Sequence, residues 1–247
     1  MSEARDVVLL HGWGSNAAVW DELAALLSPR YRVHRRHLPG YGSSPSCRPY
    51  TLDALVRAVA RAAPARCQVV GWSLGGLVAL AWAHALPQQA TRLALIAVTP
   101  SFVRRAHWLH AVDGRVLADF SRALAADRAA TLRRFMALQA RGDDDARRVL
   151  RRLRSALATS AWPNDGVLQG GLEILLETDL RERLAAIRQR TLVLQGDRDA
   201  LVPLRAAEYL SGRLPGARLV VLDGAAHAPF LSRPREAAAA LQEFLDG

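Results

Sequence analysis

Residues 69–77 read VVGWSLGGL, and this stretch decides the fold. An apolar run leads into Ser73, which lies between Gly71 and Gly75, and a second apolar run follows at once. Glycines mark tight turns, so the serine is predicted at a sharp junction between a buried strand and a buried helix. A turn alone explains the glycines, whereas an exposed hydroxyl at such a junction is typical of a nucleophile. The rest of the sequence decides between these interpretations.

Short apolar, β-branched runs alternate with helical patterns along most of the chain. The predicted strands span residues 6–10, 31–36, 67–71, 93–98, 191–196 and 217–223. The predicted amphipathic helices between them span residues 19–27, 52–63, 77–86 and 205–213. This alternation predicts βαβ crossovers and a mainly parallel central sheet flanked by helices.

The alternation stops between about residues 101 and 177, where the pattern is helical throughout. One helix there is well delimited, because the aspartates at 143–145 provide an N-cap and Val149, Leu150, Leu153 and Leu157 form its apolar face. We therefore expect a core formed by residues 1–100 and 177–247. Residues 101–176 are expected to form a helical lid insertion, with everything in a single compact domain.

The composition is that of a chain of 247 residues that is 51% hydrophobic, enough for one sizeable core. The first residues, MSEARD, are polar, and no apolar run approaches the ~18 residues that a membrane span needs. We therefore expect a cytoplasmic protein with no signal peptide and no membrane association. The two cysteines are too few for a disulfide scaffold and lack metal-ligand spacing.

The net charge of +10 is unevenly distributed. All 33 basic residues are arginine, which indicates a compositional bias of the whole chain. Residues 104–162 hold 13 arginines and six aspartates, a net of +7, and the remainder holds 20 arginines and 17 acidic residues, a net of +3. Most of the excess therefore lies in the predicted insertion. The helical face that carries Arg147, Arg151 and Arg154 has no interleaved aromatic residues and no recognised binding motif, so no nucleic-acid partner is expected.

Reactive side chains follow three of the predicted strands. Ser73 follows the third strand, Asp199 the fifth and His227 the sixth. Ligands in open parallel sheets bind beyond the carboxyl ends of the strands, so these side chains are expected to meet. The order Ser-Asp-His and the G-x-S-x-G sequence are those of an α/β-hydrolase. We therefore predict an α/β-hydrolase fold.

The chemistry of acyl transfer requires these residue types together. A serine hydroxyl is a poor nucleophile until a base removes its proton. His227 is predicted to be that base, and Asp199 to fix its tautomer and stabilise the imidazolium. Negative charge on the attacked carbonyl needs two fixed donors, for which we predict the N–H groups of Leu74 and of Trp13 in the HGWG stretch at 11–14. No metal and no cofactor is expected.

Each signal also has a simpler interpretation. A lone G-x-S-x-G arises by chance, His227 taken alone fits a structural histidine, and Asp197 competes with Asp199 for the acidic role. The stretch DALVP at 199–203 favours Asp199. His11 is predicted to support the oxyanion loop. Four signals in the right order favour a catalytic triad over a non-catalytic binding protein of the same fold, which needs none of them.

Longer segments resemble one family. The stretches that carry the resemblance are VVLLHGWGSNAAVW at 7–20, GWSLGGLVA at 71–79, RFMALQARG at 134–142, LQGGLEILLETDLR at 168–181 and AAHAPFLSRP at 225–234. They are similar to the pimeloyl-[acyl-carrier protein] methyl ester esterases of the α/β-hydrolase superfamily, over nearly the whole chain. The resemblance implies hydrolysis of a methyl ester at the far end of a carrier-bound pimeloyl chain, with release of methanol, in biotin biosynthesis.

The resemblance also implies residues that contact the substrate, namely Trp13, Ser73, Leu74, Phe135, Met136, Ala137, Leu138, Gln139 and His227. The alternative for Phe135 and Leu138 is that they form the packing face of a lid helix. An alternative activity is that of a broad-specificity short-chain carboxylesterase or thioesterase, which would use the same triad on free esters.

The implied partner is an acidic acyl-carrier protein, which a basic lid would attract. Arg147, Arg151 and Arg154 recur at i, i+4 and i+7 on one helical face, with Arg134 nearby. The alternative is a solvated face of an arginine-rich protein. Ala130 stands where the family has an arginine that it uses toward its carrier, and the N-terminal edge strand of the family is expected to be missing or shortened. A monomer is expected.

Overall fold

The computed structural model describes residues 5–159 and 162–247. Positions 1–4 and 160–161 lie outside the described residues. The first four belong to the polar N-terminal stretch in which no signal peptide is expected, and the other two belong to the predicted insertion. The described strands are β1 (Arg5–Leu10), β2 (Tyr31–Arg36), β3 (Cys67–Trp72), β4 (Ala90–Ile96), β5 (Arg190–Gly196) and β6 (Arg218–Leu222).

These six strands form one sheet with the order β2-β1-β3-β4-β5-β6, and every neighbouring pair is parallel. The chain runs outward from β1 to β2 on one side and from β3 to β6 on the other, so the winding reverses between β1 and β3. The crevice beyond such a switch point is where open α/β sheets bind ligands. Leu10 of β1 pairs with Gly71 of β3, so the segments that follow both strands emerge side by side.

The central strands are apolar runs because both faces of the sheet are covered. All six residues of β3 are buried. Prediction and structure differ at β4, which begins at Ala90 and ends at Ile96. Ala97 adopts a φ of 51°, a left-handed conformation that ends the extended strand there.

The described residues also form ten α-helices and two 3₁₀-helices (Ala17–Trp20 and Arg181–Ala186). The α-helices are α1 (Asp21–Leu27), α2 (Leu52–Ala62), α3 (Leu74–Ala85), α4 (Gly114–Ala126), α5 (Arg128–Ala140), α6 (Ala146–Leu157), α7 (Asp165–Glu177), α8 (Leu204–Arg213), α9 (Pro229–Ser232) and α10 (Pro234–Asp246).

Buried apolar clusters lie on both faces of the sheet. Val8 of β1 belongs to a cluster with residues of α2, α3 and α8, and its neighbour Leu9 to a cluster with residues of α1 and α10. Successive residues of a strand point to opposite faces, so the two clusters lie on opposite sides. The predicted sheet flanked by helices is confirmed.

The four helices α4–α7 lie between β4 and β5 in the chain. Helix α4 packs against α5 and α7, whereas α6 packs against the first 3₁₀-helix and α9. Val149 and Leu153 of α6 share a buried cluster with Trp20 and Leu231. One helix of the predicted lid is therefore attached to the core through an apolar face. The boundaries of the lid at 101 and 176 stay a prediction.

Candidate active site

Ser73 lies at the turn between β3 and α3. Its backbone has a φ of 53° and a ψ of −118°, a conformation that persists in a non-glycine residue only where the surroundings enforce it. A Cβ atom on Gly75 would lie 2.3 Å from the carbonyl oxygen of Leu10, and one on Gly71 would lie 2.5 Å from the carbonyl oxygen of Gly75. Helix α3 therefore approaches the ends of β1 and β3 so closely that only glycine fits on either side of the serine.

Asp199 and His227 form a buried pair beyond the ends of β5 and β6. Nδ1 of His227 lies 2.8 Å from Oδ2 of Asp199, and both side chains are almost completely inaccessible. The other oxygen, Oδ1, accepts hydrogen bonds from the N–H groups of Leu201 at 2.8 Å and Val202 at 3.0 Å. Because a carboxylate accepts from Nδ1–H, the Nε2 atom of His227 is left unprotonated and available as a base.

Asp197, the alternative acidic residue, lies in an exposed turn. Within the described part of the chain its carboxylate makes no hydrogen bond or ion pair with His227, whereas that of Asp199 is buried and makes both. The geometry therefore favours Asp199, as the sequence did, and its catalytic role stays a prediction.

Ser73 and His227 line the same cavity. Trp72 fixes the histidine loop relative to β3, because its Nε1–H donates to the carbonyl oxygen of His227 at 2.7 Å. Among residues 5–159 and 162–247, Ser73 Oγ makes no direct hydrogen bond to the imidazole. Catalytic hydrogen bonds of this kind often tighten only in the complex with substrate.

The two predicted oxyanion donors belong to segments that adjoin Ser73. A Cβ atom on Gly12 would lie 3.3 Å from the Cβ of Ser73, which places the HGWG loop directly against the serine. In the described part of the chain, the N–H groups of Trp13 and Leu74 donate to no other group. Leu74 is the first residue of α3, where N–H groups lack helical acceptors and the dipole favours negative charge. Both groups are thus available to an oxyanion.

The side chain of Trp13 anchors this loop to the inserted helices. Its Nε1–H donates to the carbonyl oxygen of Leu168 at 2.8 Å, and its ring meets Phe135 edge-to-face with the centroids 4.9 Å apart. A Cβ atom on Gly171 would lie 2.6 Å from Cδ1 of this indole. Close approach of α7 to Trp13 therefore explains the glycine in the middle of that helix.

His11 supports the HGWG loop through hydrogen bonds, and the oxyanion role of that loop stays a prediction. Its Nδ1–H donates to the carbonyl oxygen of Gly12 at 2.8 Å, and its Nε2 accepts from the N–H of Leu38 at 3.0 Å. This pairing requires the neutral imidazole, because the protonated ring has no acceptor. Burial lowers the pKa of His11 from 6.5 to about 3.

Acid is therefore expected to destabilise the protein through His11. The folded-state pKa of about 3 lies below the ordinary value of 6.5, so the unfolded chain binds the proton more readily between these pH values. The stabilisation is complete above pH 6.5 and declines toward pH 3, by up to ~1.4 kcal/mol per pH unit. Urea unfolding between pH 7 and 4 should give a smaller slope of unfolding free energy against pH for His11→Gln. The exposed His84, replaced by Gln, is the control; equal slopes for His11→Gln and wild type would contradict the account.

The cavity has a volume of about 80 Å³ and, apart from Ser73 and His227, is lined by apolar side chains. Of the five predicted substrate residues on α5, Phe135 and Leu138 line it, and the other three do not. Met136 is buried in the cluster that contains Leu9 and residues of α1 and α10, Ala137 is exposed and Gln139 is buried. Because an α-helix turns by about 100° per residue, only positions three or four apart share the face toward the cavity.

Sequence reasoning missed most of the lining. These residues share apolar character and come from the loop after β4, from α4 and α7, and from the Asp199 loop: Phe102, Val112, Val116, Leu117, Phe120, Leu172, Leu175 and Leu201. The spacing of the apolar residues in α4 and α7 indicates that each helix has an apolar face. It does not indicate whether that face lines a cavity or packs against other helices.

The last turn of α5 and the segment between α5 and α6 hold the loop that carries His227. The carbonyl oxygen of Gln139 accepts from the N–H of His227 at 3.2 Å, and Oδ2 of Asp143 accepts from the N–H of Ala226 at 2.8 Å. The N–H of Asp144 donates to the carbonyl oxygen of Gly224 at 2.8 Å. The inserted helices therefore fix the position of the histidine loop as well as cover the cavity.

The arginines predicted to dock a carrier protein are exposed on α5 and α6. Arg147, Arg151 and Arg154 of α6 and Arg134 of α5 reach solvent, and none forms an ion pair with another described residue. The neighbouring face of α6 is tied to the core, since Arg148 and Arg152 both pair with Glu22. The exposed arginines therefore form a basic face on a fixed helix.

No cluster of three or more His, Cys, Asp or Glu side chains that could hold a metal ion occurs in the parts of the chain that the structure describes. Over the same residues, no helix has both the length and the apolar character to cross a membrane.

This architecture is shared with known proteins. The family model described as alpha/beta hydrolase fold matches residues 7–234. The esterase from Exiguobacterium antarcticum superposes with a TM-score of 0.88 over 100% of this chain and 94% of its own, at 21% identity, a likeness of fold alone. The sheet, the nucleophile turn and the family model together define an α/β-hydrolase, and the predicted fold class is confirmed.

Relatives in sequence narrow this class. The pimeloyl-[acyl-carrier protein] methyl ester esterase of Nitrosomonas europaea is 42% identical over 231 residues, 94% of this chain and 92% of the relative. The esterase of the same description from Edwardsiella ictaluri is 43% identical over 243 residues, 98% of this chain and 94% of the relative. The chain therefore belongs to the α/β-hydrolase family and, within it, to the family of these methyl ester esterases. The resemblance found in the sequence is confirmed.

Proposed function

We propose that the protein is a serine carboxylesterase that hydrolyses the methyl ester of pimeloyl-[acyl-carrier protein] to methanol and the free acid, in biotin biosynthesis. The observation that carries the proposal is family membership over nearly the whole chain, joined to the site geometry. Ser73 lies with His227 at the wall of an otherwise apolar cavity. The proposed partner is an acidic acyl-carrier protein, and the proposed working form is a cytoplasmic monomer.

Acylation begins when Ser73 Oγ attacks the ester carbonyl carbon while Nε2 of His227 takes the hydroxyl proton. The carbonyl oxygen becomes an oxyanion, to which the N–H groups of Trp13 and Leu74 donate. Loss of one such donor typically costs about 2.7–4 kcal/mol of transition-state stabilisation. The intermediate collapses to an acyl-enzyme as the C–O bond to the methoxy group breaks, and His227 returns the proton to release methanol.

Deacylation repeats these steps with water as the nucleophile. His227 removes a proton from water as the oxygen attacks the acyl carbon of the ester formed on Ser73. The tetrahedral intermediate breaks its bond to Oγ, which takes the proton back from His227. The product carries a free carboxyl group, and the enzyme returns to its starting protonation state. Asp199 keeps the imidazole in the required tautomer throughout and stabilises its charged form.

The cavity lining suits a neutral alkyl ester. Apart from Ser73 and His227 its walls are apolar, so the methylene chain is desolvated at little cost. A carboxylate held among the same side chains would lose its hydration without a charged partner. The site therefore favours the methyl ester over the acid, which helps the product to leave.

The basic face on α5 and α6 is the proposed docking surface for the carrier. Arg147 and Arg151 lie one helical turn apart, are exposed, and repel each other in the free protein. An acidic partner relieves this repulsion and is attracted over distances of about 10 Å at moderate salt. The same surface has no effect on a small uncharged ester.

Charge reversal on this face should therefore impair hydrolysis of the carrier-bound ester alone. For Arg147→Glu/Arg151→Glu we expect kcat/KM on pimeloyl-carrier methyl ester to fall by about tenfold or more. The reason is that the attraction between each of these positions and the acidic carrier becomes repulsion. Hydrolysis of free dimethyl pimelate should stay within about twofold of wild type. The loss should shrink as salt concentration rises.

A matched control is available on α2, where Arg57 and Arg61 are exposed at the same spacing. Arg57→Glu/Arg61→Glu makes the same change in net charge away from the proposed docking face, and both substrates should react as in wild type. If both double variants lost the same share of kcat/KM on the carrier-bound ester, the effect would come from net charge and not from the proposed docking face. If neither pair alters carrier-bound turnover, the arginines are a solvated face and the broad-specificity esterase becomes the better description.

A further inference from the structure

Gln195 is a buried polar residue at the carboxyl end of β5, outside the predicted triad and oxyanion hole. Its side chain is fully inaccessible. Nε2 lies 3.1 Å from Oδ2 of Asp199 and 2.9 Å from the carbonyl oxygen of Val202. Gln195 therefore contacts the same carboxylate oxygen that pairs with His227.

The surroundings fix which way this amide points. Besides those two acceptors, the carbonyl oxygen of Gly196 lies 3.3 Å from Nε2. Rotating the amide by 180° would place Oε1 against three oxygens and would replace attraction by repulsion. The amide is accordingly a donor toward Asp199.

The carboxylate of Asp199 is held by two kinds of group. Oδ1 is bound by the N–H groups of Leu201 and Val202, which belong to the same loop as Asp199 itself. Gln195 instead connects Oδ2, and through the Val202 carbonyl the loop, to the rigid strand β5. Of the hydrogen bonds that the described residues make to the Asp199 carboxylate, only the one from Gln195 comes from a strand of the sheet.

We propose that Gln195 is a positioning residue that holds the Asp199 carboxylate in the orientation His227 requires for catalysis. This inference rests on the proposed function, because it assigns the amide a task within that site. The amide acts through Asp199 and touches no substrate. Such support matters because small displacements of a catalytic group reduce rates strongly.

The first test replaces the donor with an apolar side chain of similar length. Gln195→Met should lower kcat for dimethyl pimelate by about tenfold or more with little change in KM, since the substrate cavity is untouched. The acid limb of the kcat/KM profile should also move to higher pH. Loss of the donor leaves more negative charge on Oδ2, which favours the imidazolium of His227.

Gln189 provides a matched control. It is also a buried glutamine, its Oε1 is unpaired like that of Gln195 within the described residues, and its Nε2 donates to the carbonyl oxygen of Ala83. It lies beside the opposite end of β5. Gln189→Met should leave kcat and the pH profile unchanged, even if it alters the melting temperature.

A second variant preserves the shape of the side chain. In Gln195→Glu two carboxyl groups face each other, so at lower pH they share a proton, and this proton replaces the donor that the amide supplied. As the pH rises the proton is lost and two like charges oppose each other. We expect an alkaline decline of kcat that wild type lacks. Asp199 is the titratable group in contact with the side chain, His227 contacts the same oxygen, and the neighbouring Arg198 pairs outward with Asp144.

The outcomes separate this inference from the proposed function. If wild type hydrolyses dimethyl pimelate and both variants keep its kcat and pH profile, the role of Gln195 is wrong and the esterase proposal stands. If wild type hydrolyses no ester, the proposed function fails. The inference is then judged by the rate at which phenylmethanesulfonyl fluoride modifies Ser73, which should fall in Gln195→Met but not in Gln189→Met. Equal modification rates would overturn it.

Discussion

Replacing Ser73 with alanine is expected to abolish ester hydrolysis, lowering kcat by about 10⁴-fold to 10⁶-fold. Without Oγ no acyl-enzyme forms, and water must attack the ester directly with help from the oxyanion donors alone. Ser73 is 4% exposed and its side chain forms no hydrogen bond with another described residue, so the fold should be unaffected. Hydrolysis of free and carrier-bound methyl esters, followed as methanol release, measures the effect.

Ser43→Ala, a substitution of an exposed serine, is the control and should behave as wild type. The Ser73→Ala variant should still bind the carrier-bound ester, because the cavity walls and the basic face remain. A variant that retains more than about one hundredth of wild-type kcat would contradict the nucleophile assignment. Circular dichroism and the melting temperature confirm that both variants are folded.

Replacing Asp199 with asparagine should lower kcat by about 10⁴-fold, because it reverses the tautomer of His227. The N–H groups of Leu201 and Val202 require an acceptor, so the amide oxygen takes the place of Oδ1. The NH₂ group then faces Nδ1 of His227, which becomes the acceptor, and the proton moves to Nε2. An imidazole protonated on Nε2 cannot take the proton from Ser73.

Asp197→Asn separates this effect from a general loss of negative charge near the site. Asp197 lies in the same turn but is exposed, so its substitution should leave kcat within about twofold of wild type. If Asp197→Asn caused the larger loss, the assignment of the acidic residue would be wrong. If neither variant lost activity, the buried Asp199–His227 pair would have no part in catalysis.

Local patterns explain why the sheet and the nucleophile turn could be predicted from sequence. Buried parallel strands read as short apolar runs, and the six predicted runs overlap β1–β6. Gly71 marks the close approach of β3 and α3, which is a local property of the chain, whereas Gly75 lies against the end of β1. Helix α6 was delimited by its aspartates, and Asp145 does cap it by accepting from the N–H of Arg148.

The cavity depends on contacts between distant segments, which is why sequence reasoning found little of it. Phe120 and Leu172 lie on different inserted helices, and their apolar character does not reveal that both line the cavity that holds Ser73. Gln195 belongs to no sequence motif. Its proposed role follows from the folded chain, where its Nε2 lies 3.1 Å from Oδ2 of Asp199. Resemblance to the family supplied the α5 segment as a block, and the helix geometry divides that block into two residues at the cavity and three elsewhere.

The most direct test of the account is the mass of a pimeloyl-carrier methyl ester after incubation with the wild-type enzyme. We expect the carrier to lose one CH₂ unit, as the methyl ester becomes a free acid while the thioester stays intact. With Ser73→Ala we expect no change of mass. Release of the whole acyl chain would instead show a thioesterase. An unchanged carrier mass with the wild-type enzyme would contradict the proposed function.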